Sequence, residues 1–212
     1  VDPAQFYRQP RTRTDDKFVI VFPGGFQWHQ GLDIAIEALA RVKLEVPNAE
    51  LHLYGGGNIQ GDLARLTKQL GLNDSVKFCG SVPHDEIAGV IANADLGIVP
   101  KRSDSFGNEA YSTKIMEFMS QGVPVVVSRT KIDLFYFDDS VVKFFESGNA
   151  EAMADAMLQV IKDSSMRQAL IAKGFEYVAC HSWDHKKNDY LDLVDSLVTR
   201  TFSETDHGER VA

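Results

Sequence analysis

Residues 18–46 read FVIVFPGGFQWHQGLDIAIEALARVKLEV. The opening FVIVF (18–22) is a short continuous apolar run, the pattern of a strand buried on both faces as in a parallel sheet. Pro23, Gly24 and Gly25 break it. Leu32, Ile34, Ala35, Ala38, Leu39 and Val42 then recur at helical spacing, and Pro47 and Asn48 end the run. Strand, glycine loop and helix make one βα unit.

The unit repeats along the chain. Strands are expected at 50–54, 76–79, 96–99, 123–127 and 141–145. Helices are expected at 62–70, with Gly71 suited to close it, at 84–93, and at 112–121, closed by Gly122. Helical patterns at 150–161, 165–178 and 183–198 follow. Such alternation predicts an α/β domain: a parallel sheet of about six strands with helices on both faces, joined by right-handed crossovers. Ligands of these sheets bind beyond the carboxyl ends of the strands. That directs attention to the loops after the first, second, fourth and fifth strands.

The 212 residues are 44% hydrophobic and 25% charged, as in an ordinary globular domain. A formal net charge of -8 argues against broad nucleic-acid binding by phosphate neutralisation. Cys79 and Cys180 lie far apart, outside any CxxC pair, which disfavours a zinc site or a disulfide framework. Free thiols suit a reducing cytoplasm. No apolar run reaches the roughly 20 residues that span a bilayer, and no signal peptide is visible. Residues 1–16 (VDPAQFYRQPRTRTDD) read as a linker leaving an upstream domain, 17–200 as the folded domain, and 201–212 as a polar, frayed tail.

Three segments carry candidate chemistry. Residues 23–33 (PGGFQWHQGLD) follow a strand and open a helix, the setting of a phosphate-cradling loop. Gly24, Gly25 and Gly31 allow close backbone approach, and Gln30, His29 and Trp28 supply polar and aromatic edges. The spacing is neither GxGxxG nor a P-loop, and a tight strand-to-helix turn is the plainer reading. Gly55, Gly56 and Gly57 repeat the opportunity after the second strand. Residues 100–122 (PKRSDSFGNEAYSTKIMEFMSQG) are the richest stretch. Ser112 suits an N-cap. The free amides of the turn that follows, with Thr113 and Lys114, suit a diphosphate. Glu117 is placed to accept hydrogen bonds from two vicinal hydroxyls, and Glu109 to reach a second sugar. A surface helix with scattered charges is the alternative.

Other features are blander. His52 reads as a packed strand histidine, and His181 and His185 lack a third metal ligand. Asp138 and Asp139 read as turn residues, and Phe135, Tyr136 and Phe137 as core.

Together these segments resemble the C-terminal domain of glycosyltransferase family 4, also called group 1, of GT-B architecture. The resemblance runs from about Lys17 to Leu197 and is most specific in the E-x7-E pair, Glu109 and Glu117, leading into MEFMSQGVPVVVS. GGFQWHQGLDIAIEAL, ELHLYGGG, LGLNDSVKFCGSVPHDEI and ADLGIVP support it by order and spacing. The resemblance implies a Rossmann-like half of a GT-B enzyme that binds a nucleoside-diphosphate sugar. It implies retaining transfer, without a metal cofactor, to an acceptor on an N-terminal domain. It further implies that Glu109 contacts the donor sugar and helps to stabilise charge there, and that Glu117 holds the ribose. The base would lie against 76–80, Phe78 included, and the diphosphate against the 24–31 loop and the Ser112 helix start. Gly55 would belong to the same binding surface. Many relatives add sugars to lipid carriers or surface polysaccharides, so peripheral membrane association of the full-length protein follows as an expectation. The family's C-terminal helix often crosses back to the first domain, a role open to 183–198.

One departure stands out. Where the family commonly carries an Arg and a Lys in its first loop, this chain has Gly25 and Gln30. Lys114, Lys101 and Arg102 are the candidate replacements, Lys114 being best placed. Two other readings remain: a non-catalytic nucleotide-binding module on this scaffold, and half of a nucleotide-sugar epimerase.

Overall fold

The computed structural model describes residues 2 and 6–205, with side chains for 2 and 6–199. Six strands form one sheet: β1 (Phe18–Pro23), β2 (Ala49–Tyr54), β3 (Val76–Gly80), β4 (Leu96–Val99), β5 (Val125–Ser128) and β6 (Lys143–Phe145). Their order is β3-β2-β1-β4-β5-β6, and every pairing is parallel. The order reverses between β1 and β4, creating a crevice at their carboxyl ends.

Residues of β1 alternate between two cores, as period-two side chains must. Ile20 and Phe22 join one with α1 (Leu32–Val42), α2 (Gln60–Gln69) and α6 (Ala150–Lys162). Val19 and Val21 join the other with α3 (Ile87–Ala92) and α4 (Thr113–Ser120). Helices thus cover both faces, as expected. Two long helices, α7 (Ser164–His181) and α8 (Trp183–Thr205), complete the chain. On α8, Trp183, Tyr190, Leu191, Leu193 and Val194 are exposed.

A short helix between β5 and β6, α5 (Lys131–Tyr136), is not predicted by the sequence pattern. Thr130 caps it by accepting from the Asp133 amide, but six residues are too few to show a helical period. Phe135 is 77% exposed and Tyr136 is also exposed, so of the three aromatics read as core only Phe137 is buried. The buried residue of this short helix is Asp133 instead.

Residues 6–17 contain no helix or strand, yet they are tied down. Gln121, at the end of α4, donates to the Phe6 and Tyr7 carbonyls and accepts from the Gln9 amide. Asn93, at the end of α3, accepts from the Thr12 and Arg13 amides. Arg11 and Arg13 pair with Asp95, and Phe6 enters the α3–α4 core. At the other end α8 continues to Thr205, and the rest of the expected tail lies outside the described residues.

Candidate donor-binding site

A cleft of about 430 Å³ opens where the carboxyl ends of β1, β2 and β3 meet the start of α4. Its walls are Pro23, Gly24 and Gly25 after β1; Tyr54, Gly55 and Gly56 after β2; Ser81, Val82, His84 and Ile87 after β3; and Thr113, Lys114 and Glu117 on α4. Gly24 has φ +148° and Gly55 φ +132°, values side chains rarely adopt. A Cβ on Gly55 would stand 2.0 Å from the Gly24 carbonyl oxygen, so the two loops touch backbone to backbone. The hydrogen-bond ladder of the sheet runs on into them: Gly24 N donates to Tyr54 O at 2.8 Å, Gly55 N to Gly80 O at 2.8 Å, and Phe26 N to Gly56 O at 2.9 Å.

Lys114 is the cation of this cleft. Its side chain makes no hydrogen bond or ion pair to any described residue, and its ammonium lies 5.2 Å over the Phe22 ring. Burial lowers its pKa below the ordinary lysine value; Glu117 opposes the fall, Lys101 adds to it, and Asp133 opposes it. At the amino end of α4 the helix dipole also favours an anion. Tyr54 is pushed up to about 12, by burial first and then by Cys79, so it stays a neutral hydroxyl at physiological pH.

The other two candidate replacements for the missing cations are engaged elsewhere. Lys101 is buried against Asp133, 3.0 Å away. Arg102 pairs with Asp33, donates to the Trp28 carbonyl and lies 4.4 Å over the Trp28 ring. Each is held by neighbours that a surface lysine lacks.

Of the residues singled out from sequence, the cleft gathers Gly24, Gly25, Gly55, Thr113, Lys114 and Glu117. Gln30, Gly31, Phe78, Ser112 and Glu109 lie outside its lining. Gln30 ends a 3-10 turn (Trp28–Gln30) and its Oε1 is buried without a partner. Gly31, at φ +67°, is where that turn passes into α1, and a Cβ there would meet the Pro100 carbonyl oxygen at 2.0 Å. Phe78 packs edge-on to Phe26. Ser112 stands at the N-cap position of α4 without a side-chain capping bond, and its Oγ is buried and unpaired. Glu109 pairs with Lys131 at 3.1 Å, both side chains exposed. It borders a separate depression of about 260 Å³ with Asn108, Ile132, Phe135 and Tyr136.

Sequence reasoning missed Tyr54, Ser81, Val82 and His84. The loop after β3 was passed over, although β3 neighbours β2 and its end rises beside the same crevice. His52 pairs with Glu50 within β2, and Asp138 accepts from the Ser140 amide and hydroxyl in a turn. Among the described residues, no group of three or more His, Cys, Asp or Glu is placed to hold a metal ion. No helix among them is long and apolar enough to cross a membrane.

A six-stranded parallel sheet reversing between β1 and β4, with a glycine-lined cleft at the reversal and a helix start above it, is a Rossmann-like half-domain of the GT-B type. The chain belongs to the group 1 glycosyl transferases, whose family model matches residues 4–177. It is 30% identical over 183 residues to the lipopolysaccharide core biosynthesis glycosyltransferase LpsE of Rhizobium meliloti, a stretch that is 85% of this chain and 51% of that protein. The chain therefore spans about half the length of the curated relatives it matches. Among solved structures, it resembles the C-terminal domain of the group 1 glycosyl transferase LpcC from Francisella tularensis, with TM-score 0.71 and 20% identity, covering 85% of this chain and 97% of that one. It also resembles HepE of Anabaena in complex with UDP-glucose, with TM-score 0.77 and 19% identity, covering 85% of this chain and 49% of that one. At these identities the structural likeness speaks for the fold.

Proposed function

We propose that this chain is the donor-binding half of a glycosyltransferase. It takes a nucleoside-diphosphate sugar and serves retaining transfer, without a metal cofactor, to an acceptor held by a separate N-terminal domain. In this reading Lys114, the Thr113 turn of α4 and the Gly24–Gly25 loop hold the diphosphate. Glu117 receives the ribose hydroxyls, and the base lies beside Gly55 and the backbone of 76–80. Glu109 meets the donor sugar: its exposed pairing with Lys131 is worth no more than about 1 kcal/mol, so sugar hydroxyls compete for it. Leaving-group charge is stabilised by the helix start and by Lys114, which stands in for the family's Arg and Lys. The full-length protein works in the cytoplasm, at the membrane surface when its acceptor is lipid-linked.

The single observation that carries the reading is the half-buried Lys114 ammonium, without a hydrogen-bond or ion-pair partner among the described residues, in the same cleft as Glu117 and Gly24. The HepE complex with UDP-glucose, on a similar fold, favours the same ligand class. Calorimetry with UDP, GDP and ADP tests it: one of them binds the chain, and Lys114→Ala loses most of that affinity. If none binds, the donor assignment fails.

A second reading, a nucleotide-binding module without transfer, draws on two observations: Gly25 and Gln30 in place of cations, and Glu109 outside the cleft. Product analysis with the full-length protein separates it, since a module binds nucleotide and releases no transferred sugar. The same analysis identifies an epimerase by its isomerised sugar.

A further inference from the structure

Lys101 and Asp133 are among the most deeply buried charges of the chain, with side chains 3% and 0% exposed and 3.0 Å apart. Such pairs rarely add net stability, because two desolvated charges recover little more than they lose. Their value here lies in what else they hold. Lys101, at the carboxyl end of β4, donates to the Ala110 carbonyl at 2.6 Å and to the Gly107 carbonyl at 3.4 Å. Asp133, on α5, accepts from the Thr130 hydroxyl at 2.6 Å. The ammonium thus gathers the two ends of 107–110 and binds them to the helix that follows the next strand. Asn108 makes the same connection by side chain and main chain, accepting from the Lys131 and Ile132 amides. The held loop carries Glu109 and runs directly into Ser112, Thr113 and Lys114.

We propose that Lys101 and Asp133 are positioning residues for the donor site: their buried ion pair sets the path of the 101–112 loop and so the placement of Glu109 and of the first turn of α4. This rests on the donor-binding reading for its functional consequence, and on the hydrogen bonds alone for its structural part. Neither residue lines the cleft. An apolar pair of similar size would fill the space but leave the Ala110 carbonyl without its donor, and the loop would keep only its Asn108 bonds to α5.

The decisive variant is Lys101→Met with Asp133→Leu in one chain, which leaves no orphaned charge and so avoids the unfolding expected of either single change. Thermal unfolding, hydrogen exchange and nucleotide calorimetry are measured together. The melting temperature stays near that of the parent, the amides of 107–114 exchange about tenfold faster, and affinity for the bound nucleotide falls about tenfold. Lys114 and Glu117 remain unaltered throughout. Unchanged exchange across 107–114 overturns the proposal. So does loss of the whole fold, which would make the pair a support of the entire domain. Loosened exchange with undiminished affinity overturns its functional part. Should the parent chain bind none of UDP, GDP and ADP, the donor reading is what fails, and the exchange data still decide whether the pair holds the loop.

Discussion

The Lys114 ammonium lies 5.2 Å over the Phe22 ring, with no hydrogen-bonding partner among the described residues to hold its charge. Its pKa is lowered below that of an ordinary lysine, chiefly by burial. The folded chain therefore carries fewer protons than the unfolded chain between the lowered value and the ordinary one, and stability rises with pH across that window. A diphosphate beside the ammonium restores the proton. Nucleotide binding should then take up protons on the alkaline side, and affinity should fall as pH climbs through the lowered value. Calorimetry in two buffers of different ionisation enthalpy reads this directly. Identical heats in both, or uptake that persists in Lys114→Met, would remove Lys114 from the phosphate site.

Glu117 and Lys114 share the cleft, and in the proposed function they meet different parts of the ligand. Glu117→Gln keeps the shape and removes the charge that two ribose hydroxyls would meet. The loss of a charged hydrogen bond corresponds to about tenfold or more in affinity for the nucleotide. Competition by inorganic pyrophosphate, which has no ribose, should be unaffected. Equal losses for both ligands would place Glu117 at the phosphates.

Gly55→Ala puts a methyl group 2.0 Å from the Gly24 carbonyl oxygen at φ +132°. Backbone strain and crowding together predict a loss of about 2–4 kcal/mol in urea unfolding. A neutral substitution would mean that these loops part easily.

Asn149 caps α6 by accepting from the Ala152 amide at 3.0 Å, and it does not line the cleft. Asn149→Ala should cost about 1 kcal/mol of stability and leave nucleotide affinity untouched. This variant separates general destabilisation from effects on the site.

The strand centres were legible because parallel strands, covered on both faces, leave continuous apolar runs such as FVIVF and VVV. The amphipathic period exposed α1 and α6 equally well. Contacts between residues far apart in sequence were not legible. Lys101 and Asp133 are 32 positions apart, and nothing in either segment announces that Lys101 is bonded inward and so unavailable to phosphate. Glu109 and Lys131 pose the same difficulty: the spacing to Glu117 suggested one shared cavity, whereas the described geometry gives them separate ones. Residues 6–17 looked like an unattached linker because their anchors, Gln121 and Asn93, lie at the ends of distant helices. The Ser112 hydroxyl failed as a cap for a different reason, since a suitable residue type does not guarantee the bond.

Because the inter-strand ladder continues past the strand tips through Gly24, Gly55 and Phe26, the floor of the cleft is an extension of the sheet beneath it. A ligand arriving there cannot prise these turns apart without breaking pairs that extend β1, β2 and β3. Accommodation of a bulkier guest falls more easily on the opposite bank, where Ser81 and Val82 lie outside helix and strand.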